Sequence, residues 1–172
     1  RRYLEQTRWR AQGRAWFIDK LPPNFWIAGF IRKALPQARI LHMARAPMEV
    51  CFSNWRAMFG DSYPYSYDQQ ALAAHHARYR RLMRHWHDAM PGVIHDVDYA
   101  ALVADPVATL RAALSHLGLE FEASLLDESV DAGPSATLSS AQVRAPLNDR
   151  HRDDWKRYAA QLEPLREQLE RQ

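Results

Sequence analysis

The fold is decided at residues 38–59, which have the sequence ARILHMARAPMEVCFSNWRAMF. The apolar stretch Ala38–Met43 predicts a strand, and the helix that follows is expected to begin at Pro47 and to reach about Phe59. Proline suits the first position of a helix because its φ angle is fixed and its missing N–H needs no partner there. A strand that leads directly into a helix is the repeating unit of parallel α/β sheets.

The residues before this stretch predict a similar order of elements. A helix is expected over Tyr3–Gln12, and the apolar residues Ala15–Ile18 are expected to form a short strand. Asn24 is expected to cap a helix over Phe25–Leu35, because its side chain can accept a hydrogen bond from the first free N–H groups. Pro36 is expected to end that helix.

The residues after this stretch continue the alternation. Asp68 is expected to cap the longest helix, whose apolar residues share one face at helical spacing: Leu72, Tyr79, Leu82, Met83, Trp86 and Met90. The remaining predicted elements are a strand over Val93–Val97, a helical turn over Tyr99–Val103, a helix over Pro106–Leu117 that ends at Gly118, a helix over Arg150–Tyr158 and a further helix from Pro164. Alternating strands and helices predict an α/β domain with a parallel sheet.

The composition is that of one soluble domain over residues 1–172. The chain is 47% apolar and 25% charged, which excludes a disordered protein, and its single cysteine, Cys51, excludes a disulfide framework. The longest apolar run, Phe25–Ile31, is too short to cross a bilayer, so we expect a cytoplasmic protein with no membrane partner. Because the chain begins with Arg1 and not with Met, we expect it to be part of a longer protein.

Several common kinds of site lack their sequence patterns. The glycines are far apart, so neither a Walker phosphate loop nor a dinucleotide-binding fingerprint is present. The histidines within residues 75–87 have no zinc-peptidase spacing, so we expect a helix face there and no metal site. No serine lies in a nucleophile elbow, and Cys51 is expected on the buried side of its helix, which disfavours a hydrolase.

Arg45 is the first candidate for ligand binding. It lies at the carboxyl end of a predicted parallel strand, where open α/β sheets bind ligands, and a helix begins two residues later. Free N–H groups at a helix start favour an anion, and a guanidinium can hold two phosphate oxygens. With the helix beginning at Pro47, one face carries Glu49, Ser53 and Arg56, so the Ser53 hydroxyl can bind the same anion. The alternative is an ordinary surface ion pair of Arg45.

Stretches spread over nearly the whole chain also carry a family resemblance. They are Phe17–Phe25, Leu35–His42, Arg45–Ser53, Tyr99–Pro106, and Ser139–Pro146 with Trp155 downstream. In these stretches the chain resembles the sulfotransferase family, especially its bacterial branch that is often joined to tetratricopeptide repeats and is related to tyrosylprotein sulfotransferases. The resemblance is specific because all the stretches occur in the family's order.

The resemblance implies a fold and a reaction. The implied fold is α/β and three-layered, of the P-loop-NTPase-like sulfotransferase type, with a parallel sheet flanked by helices and without the N-terminal strand that bears the phosphate loop. The implied donor is 3'-phosphoadenosine 5'-phosphosulfate (PAPS), and no metal is implied. Arg45 and Ser53 would hold the 3'-phosphate, and Lys20 would stabilise the leaving group as the catalytic residue. The other implied nucleotide contacts are Tyr99, Ser139 and Arg144.

The chain departs from the family pattern in one major respect. The family's phosphate loop, of the Pro-Arg-Ser-Gly-Thr type, precedes the residues seen here, and this chain contains no Ser-Gly pair. We therefore expect the C-terminal portion of a sulfotransferase, inactive by itself, whose loop comes from a missing N-terminal segment or a second chain. The catalytic base lies in the same missing part, so none is assigned, although Asp19 is the nearest carboxylate.

A second class of function stays open. Of the 23 basic residues 20 are arginine and the pI is near 9.2, so a non-catalytic Arg-rich domain that binds nucleic acid or another polyanion is the alternative. Nucleic acid is the less favoured partner because the aromatic residues form no run on one face. A relative that binds the nucleotide without transferring sulfate also fits. The acceptor, a small molecule or a peptide, is not marked by the sequence.

Overall fold

The computed structural model describes residues 2–126 and 152–172. Its α-helices are α1 (Arg2–Thr7), α2 (Ala28–Ala34), α3 (Pro47–Arg56), α4 (Gln69–Ala89), α5 (Tyr99–Ala104), α6 (Pro106–Leu117) and α7 (Glu163–Glu170). Its strands are β1 (Ile40–Ala44) and β2 (Ile94–Asp98). Short 3₁₀ helices occupy Arg8–Ala11, Pro22–Ile27, Gly60–Ser62, Pro64–Tyr67, Ala123–Leu126 and Asp154–Tyr158.

The two strands form a parallel pair whose register fixes the positions of the residues that follow them. Ile40 lies opposite Ile94, and Ala44 lies opposite Asp98. The connection between the strands contains α3 and α4, as a parallel pair requires a long crossover. This arrangement confirms the predicted α/β class with a parallel sheet.

Helices lie against both faces of this pair. On one face, His42 of β1 contacts Tyr79 of α4 through their polar atoms. On the other face, His95 of β2 stacks against His116 of α6, with ring centroids 5.4 Å apart. Neighbouring residues of a strand point to opposite faces, so the alternation along β1 and β2 supplies both helices with partners.

The main apolar cluster lies where α3, α4 and α7 meet. Its buried members are Cys51, Phe52, Leu72, Ala73, Leu162, Leu165 and Leu169. Leu162 and Leu165 are fully buried although they come from the last described segment of the chain. Packing against α7 therefore fixes α3, the helix that follows the predicted ligand-binding strand. Within the described ranges, no helix has the length and apolarity needed to cross a bilayer.

Most predicted helix ends are confirmed, because each depends on local backbone chemistry. Asp68 caps α4 by accepting a hydrogen bond from the Ala71 N–H at 2.7 Å. Pro47 occupies the first turn of α3, and Pro164 occupies that of α7. Gly118 ends α6 with a φ of 73°, a left-handed conformation that suits glycine.

The predicted strand over Ala15–Ile18 is wrong. Residues 16–21 belong to no helix or strand, and the Ile18 side chain is 90% exposed. A strand needs a neighbour for its backbone N–H and C=O groups, and in the described part of the chain only β1 and β2 pair. Residues 15–18 therefore have the apolar composition of a strand but no neighbouring strand among the described residues to pair with.

Several predicted helices also differ from the structure. The first is α-helical only to Thr7 and continues as a 3₁₀ helix to Ala11, and α3 ends at Arg56 instead of near Phe59. Residues Pro22–Ile27 form a 3₁₀ helix, and α2 begins only at Ala28 with no side-chain cap, so Asn24 is not its N-cap. A tertiary contact competes for the backbone here, because the Phe25 carbonyl accepts a hydrogen bond from the indole N–H of Trp86 at 2.7 Å. In place of a helix over Arg150–Tyr158, the described residues show a 3₁₀ helix over Asp154–Tyr158.

We expect Leu165→Ala to destabilise the fold by about 2–5 kcal/mol, because it leaves a cavity in the cluster that joins α3, α4 and α7. Urea unfolding followed by circular dichroism measures this change. Leu4→Ala, at an exposed position of α1, is the matched control and should change stability by less than about 0.5 kcal/mol. Equal effects of the two substitutions would contradict the described core.

We also expect the protein to lose stability as the pH falls from 7 to 5. Burial lowers the pKa of His76, and burial likewise lowers the pKa of His75 beside it. Protonation then favours the unfolded state, so the free energy of unfolding falls once the pH drops below the ordinary histidine pKa of about 6.5. In the variant His76→Gln, the side chain at position 76 does not titrate. The free energy of unfolding of this variant should therefore vary less over this pH range. An unchanged pH dependence in this variant would count against the assignment.

Candidate functional site

Arg45 and Tyr99 meet at the carboxyl edge of the parallel pair. Each residue follows its strand directly, and the register that places Ala44 opposite Asp98 brings the next two residues side by side. The Arg45 guanidinium carbon lies 4.5 Å from the centre of the Tyr99 ring. This cation–π contact holds the guanidinium at the strand edge while its donors face other groups.

Glu49 lies between two arginines in the first turn of α3. Its carboxylate is 3.3 Å from the nearest guanidinium nitrogen of Arg45 and 3.7 Å from Nε of Arg152. The Glu49 side chain is only 10% exposed, so the carboxylate is largely shielded from water. Two guanidinium groups facing one carboxylate leave one surplus positive charge, which favours an anion at this position.

Two cavities lie next to the cluster that Arg45, Tyr99, Glu49 and Arg152 form. A cavity of about 80 Å³ lies between Tyr99, Val103 and Arg152, with Glu49 in its wall. A wider groove of about 400 Å³ lies at the N-terminal end of α3, and its lining includes Pro47, Arg152, Arg166 and the carboxylates of Glu49, Asp153 and Glu170. The groove is within the roughly 300–1,000 Å³ range of small-molecule sites, and the start of a helix favours negative charge.

One buried donor of Arg45 has no hydrogen-bond partner among the described residues. This donor is the Nε atom, although the same guanidinium contacts Glu49 and Tyr99. A buried donor without a partner is costly, and an acceptor oxygen would remove that cost. The arrangement therefore suits a ligand that brings phosphate or sulfate oxygens, which can accept two hydrogen bonds from one guanidinium.

The other predicted site residues stand in different surroundings. Ser53 is exposed on α3, one helical turn beyond Glu49, and Arg56 lies near the end of that helix, where it pairs with Asp154 at 3.2 Å. Lys20 is exposed in the irregular segment before the 3₁₀ helix at residues 22–27.

Asp19, the carboxylate next to Lys20 in the sequence, forms a hydrogen bond with Tyr3. The Tyr3 hydroxyl donates a hydrogen bond to it, and this bond is the main cause that raises the pKa of Tyr3. This contact ties the irregular segment to α1. Ser139 and Arg144 lie outside the described residues.

Cys51 is confirmed as a buried residue of α3. Its side chain is 1% exposed, and burial raises the pKa of its thiol to about 12. A thiol in this state remains protonated at neutral pH and is a poor nucleophile. The geometry therefore agrees with the expectation that Cys51 packs in the core.

Arg152 is the member of this cluster that the sequence analysis did not find. It comes from a segment far along the chain, and only the packing of the C-terminal residues against α3 brings it to Glu49. No spacing rule links positions 49 and 152. The abundance of arginine in the sequence favours anion binding in general, but it does not indicate which arginine belongs to the site.

Comparison with known proteins gives a family and a relative of this chain. The sequence model of the sulfotransferase family matches residues 1–123. An uncharacterized protein of Aquifex aeolicus (strain VF5) is 30% identical over 156 residues, which are 89% of this chain and 20% of the relative. The chain thus spans about a fifth of the length of that relative. No solved structure matches this chain significantly.

The family match covers Lys20, Arg45, Glu49, Ser53 and Tyr99 of the candidate site, whereas Arg152 lies beyond it. It includes both strands of the parallel pair. The chain belongs to the sulfotransferase family.

Proposed function

We propose that this chain is the part of a sulfotransferase that binds the 3'-phosphate end of PAPS, and that the enzyme transfers the sulfuryl group to an acceptor hydroxyl or amine. The observation that carries the proposal is the buried, unpartnered Nε of Arg45 beside a cluster with surplus positive charge. That site lies at the carboxyl edge of parallel strands, where α/β proteins bind nucleotides. Family membership supports the sulfuryl-transfer chemistry.

The residues at this edge have separate roles in the proposal. Arg45 holds the 3'-phosphate and exchanges its contact with Glu49 for phosphate oxygens when the nucleotide binds. Ser53, on the same helix as Glu49, donates a hydrogen bond from its hydroxyl to the same phosphate. The Tyr99 ring keeps the guanidinium in place and contacts the adenosine portion. Ser139 and Arg144 are proposed to close over the nucleotide.

Lys20 is the proposed catalytic residue. The bound donor supplies an activated sulfuryl group, and the positive charge of Lys20 stabilises the negative charge that develops on the leaving phosphate. Lys20 is exposed in an irregular segment, so its ammonium group is accessible to a bound ligand. The acceptor loses its proton to a base that is not assigned to this chain.

The phosphate loop completes the proposed site. We infer that an upstream segment or a second chain supplies it, because the Ser-Gly pair of the family's phosphate loop is absent from this sequence. The length of the Aquifex relative, of which this chain covers 20%, leaves room for such a segment. The transfer itself asks for an in-line acceptor and neutralised charge, so no metal is assigned to it.

We expect this chain to bind adenosine 3',5'-bisphosphate, and Arg45→Ala to weaken that binding by about 10–100-fold, since a charged hydrogen bond contributes about 1.5–3 kcal/mol. Isothermal titration calorimetry measures both affinities. Arg84→Ala removes the same charge from an exposed position of α4 and should leave the affinity unchanged. Ser53→Ala should show a smaller loss than Arg45→Ala.

Duplex DNA is the comparison ligand for this titration, because it tests the alternative of a polyanion-binding domain. The proposal predicts stronger binding of the bisphosphate than of DNA at equal phosphate concentration. Steeply salt-dependent binding of DNA, with no preference for the bisphosphate, would contradict it.

We further expect Lys20→Ala to lower kcat by about 10²–10³-fold in the enzyme that includes the upstream segment, as removal of a charge-stabilising donor does in other enzymes. The assay follows sulfate transfer from PAPS, and KM for PAPS should change much less than kcat. Lys33→Ala, at an exposed position of α2, is the control for lost positive charge. Full turnover without Lys20 would remove its catalytic role. A chain that binds the bisphosphate but never transfers sulfate would be a nucleotide-binding relative only.

A further inference from the structure

We propose that His42, His87 and Asp96 form a zinc site that joins the sheet to α4. The three side chains come from β1, from the last turn of α4 and from β2. One nitrogen or oxygen atom of each lies within 4.8 Å of the other two. This site is separate from the Arg45 cluster and does not depend on the proposed sulfuryl transfer.

The distances suit a small change from hydrogen bonding to metal binding. One oxygen of Asp96 is 2.8 Å from Nδ1 of His42 and 3.1 Å from Nε2 of His87. Zinc binds imidazole nitrogen and carboxylate oxygen at about 2.0–2.2 Å, so two ligands of a tetrahedral ion are about 3.3 Å apart. A zinc ion would therefore replace two hydrogen bonds without a large movement of the three residues.

The donor set favours a transition metal over magnesium or calcium. Two imidazoles and one carboxylate are typical ligands of zinc, whereas magnesium and calcium prefer oxygen. Three protein ligands also leave the fourth tetrahedral position to water. His87 and Asp96 are partly exposed, so an ion can enter from solvent.

Tyr79 supports the orientation of His42. Its hydroxyl lies within hydrogen-bond reach of Nε2 of His42, on the opposite side of the ring from Asp96. Histidines that bind metals commonly donate their second ring N–H to such a partner, which fixes the ring and the tautomer. Tyr79 is thus a positioning residue, and its own hydroxyl does not bind the ion.

The expectation that the histidines form no metal site rested on spacing along one helix, where the histidines of residues 75–87 show no ligand pattern. The structure draws two of the three ligands from strands instead, because the register places His42 opposite Asp96. Pairing of the strands and packing of α4 create the set, and neither is visible in local spacing.

The test uses the chain freed of metal and of any polyhistidine tag. Isothermal titration with Zn²⁺ should show one equivalent bound, and thermal unfolding should shift to higher temperature because the ion binds only the folded arrangement. Mg²⁺ should produce neither effect. Visible absorption of bound Co²⁺ reports tetrahedral coordination independently of stability.

His87→Ala and Asp96→Asn should abolish one-equivalent binding of Zn²⁺ and the associated thermal shift. Both side chains are partly exposed, so the variants should remain folded, and their circular dichroism spectra verify this. Tyr79→Phe should bind Zn²⁺ about 10–100-fold more weakly, as loss of a supporting hydrogen bond does in other zinc sites. His85→Ala, an exposed histidine of the same helix, is the control and should bind Zn²⁺ normally. Absence of binding, or binding that survives in both ligand variants, would overturn the proposal.

Discussion

The in-register parallel pairing of β1 with β2 is the constraint on which the site depends. Because Ala44 lies opposite Asp98, the residues that follow the two strands emerge side by side at one edge. Arg45 and Tyr99 meet there although they are far apart in the chain. A shift of the register by one residue would turn the side chains of the shifted strand to the opposite face and would separate Arg45 from Tyr99.

The same ladder positions a second polar cluster on its α4 face. His42 and Asp96 are register partners two positions before the strand ends, and α4 adds His87. At the edge, α3 adds Glu49, whose contact with Arg45 occupies the guanidinium in the absence of an anion. A short pair of strands can support both arrangements because helices packed by the apolar cluster bring the remaining groups to it.

Local sequence was sufficient wherever one residue sets the backbone. The starts of α3 and α4 and the end of α6 follow from Pro47, Asp68 and Gly118, each of which acts within one helical turn. Local sequence was insufficient where a distant partner decides the outcome. Ala15–Ile18 has the apolar character of a strand but no neighbour to pair with, and the Phe25 carbonyl is bonded to Trp86 of α4.

The residues of the candidate site also differ in how far local sequence predicts them. Arg45 and Tyr99 could be predicted to follow parallel strands, although the direct pairing of those two strands is a finding of the structure. Arg152 could not be predicted, since its approach to Glu49 depends on how the C-terminal residues pack against α3. The proposed zinc site could not be predicted either, because its three residues come together only through the pairing of the strands and the packing of α4. Tertiary packing, not residue type, is what the single sequence leaves undetermined.

A crystal structure of this chain with adenosine 3',5'-bisphosphate tests the central claim most directly. We expect the 3'-phosphate within hydrogen-bond distance of the Arg45 guanidinium and the Ser53 hydroxyl, with Arg45 moved away from Glu49. A nucleotide bound at another face, with the contact between Arg45 and Glu49 intact, would contradict the assignment of this strand edge as the phosphate site.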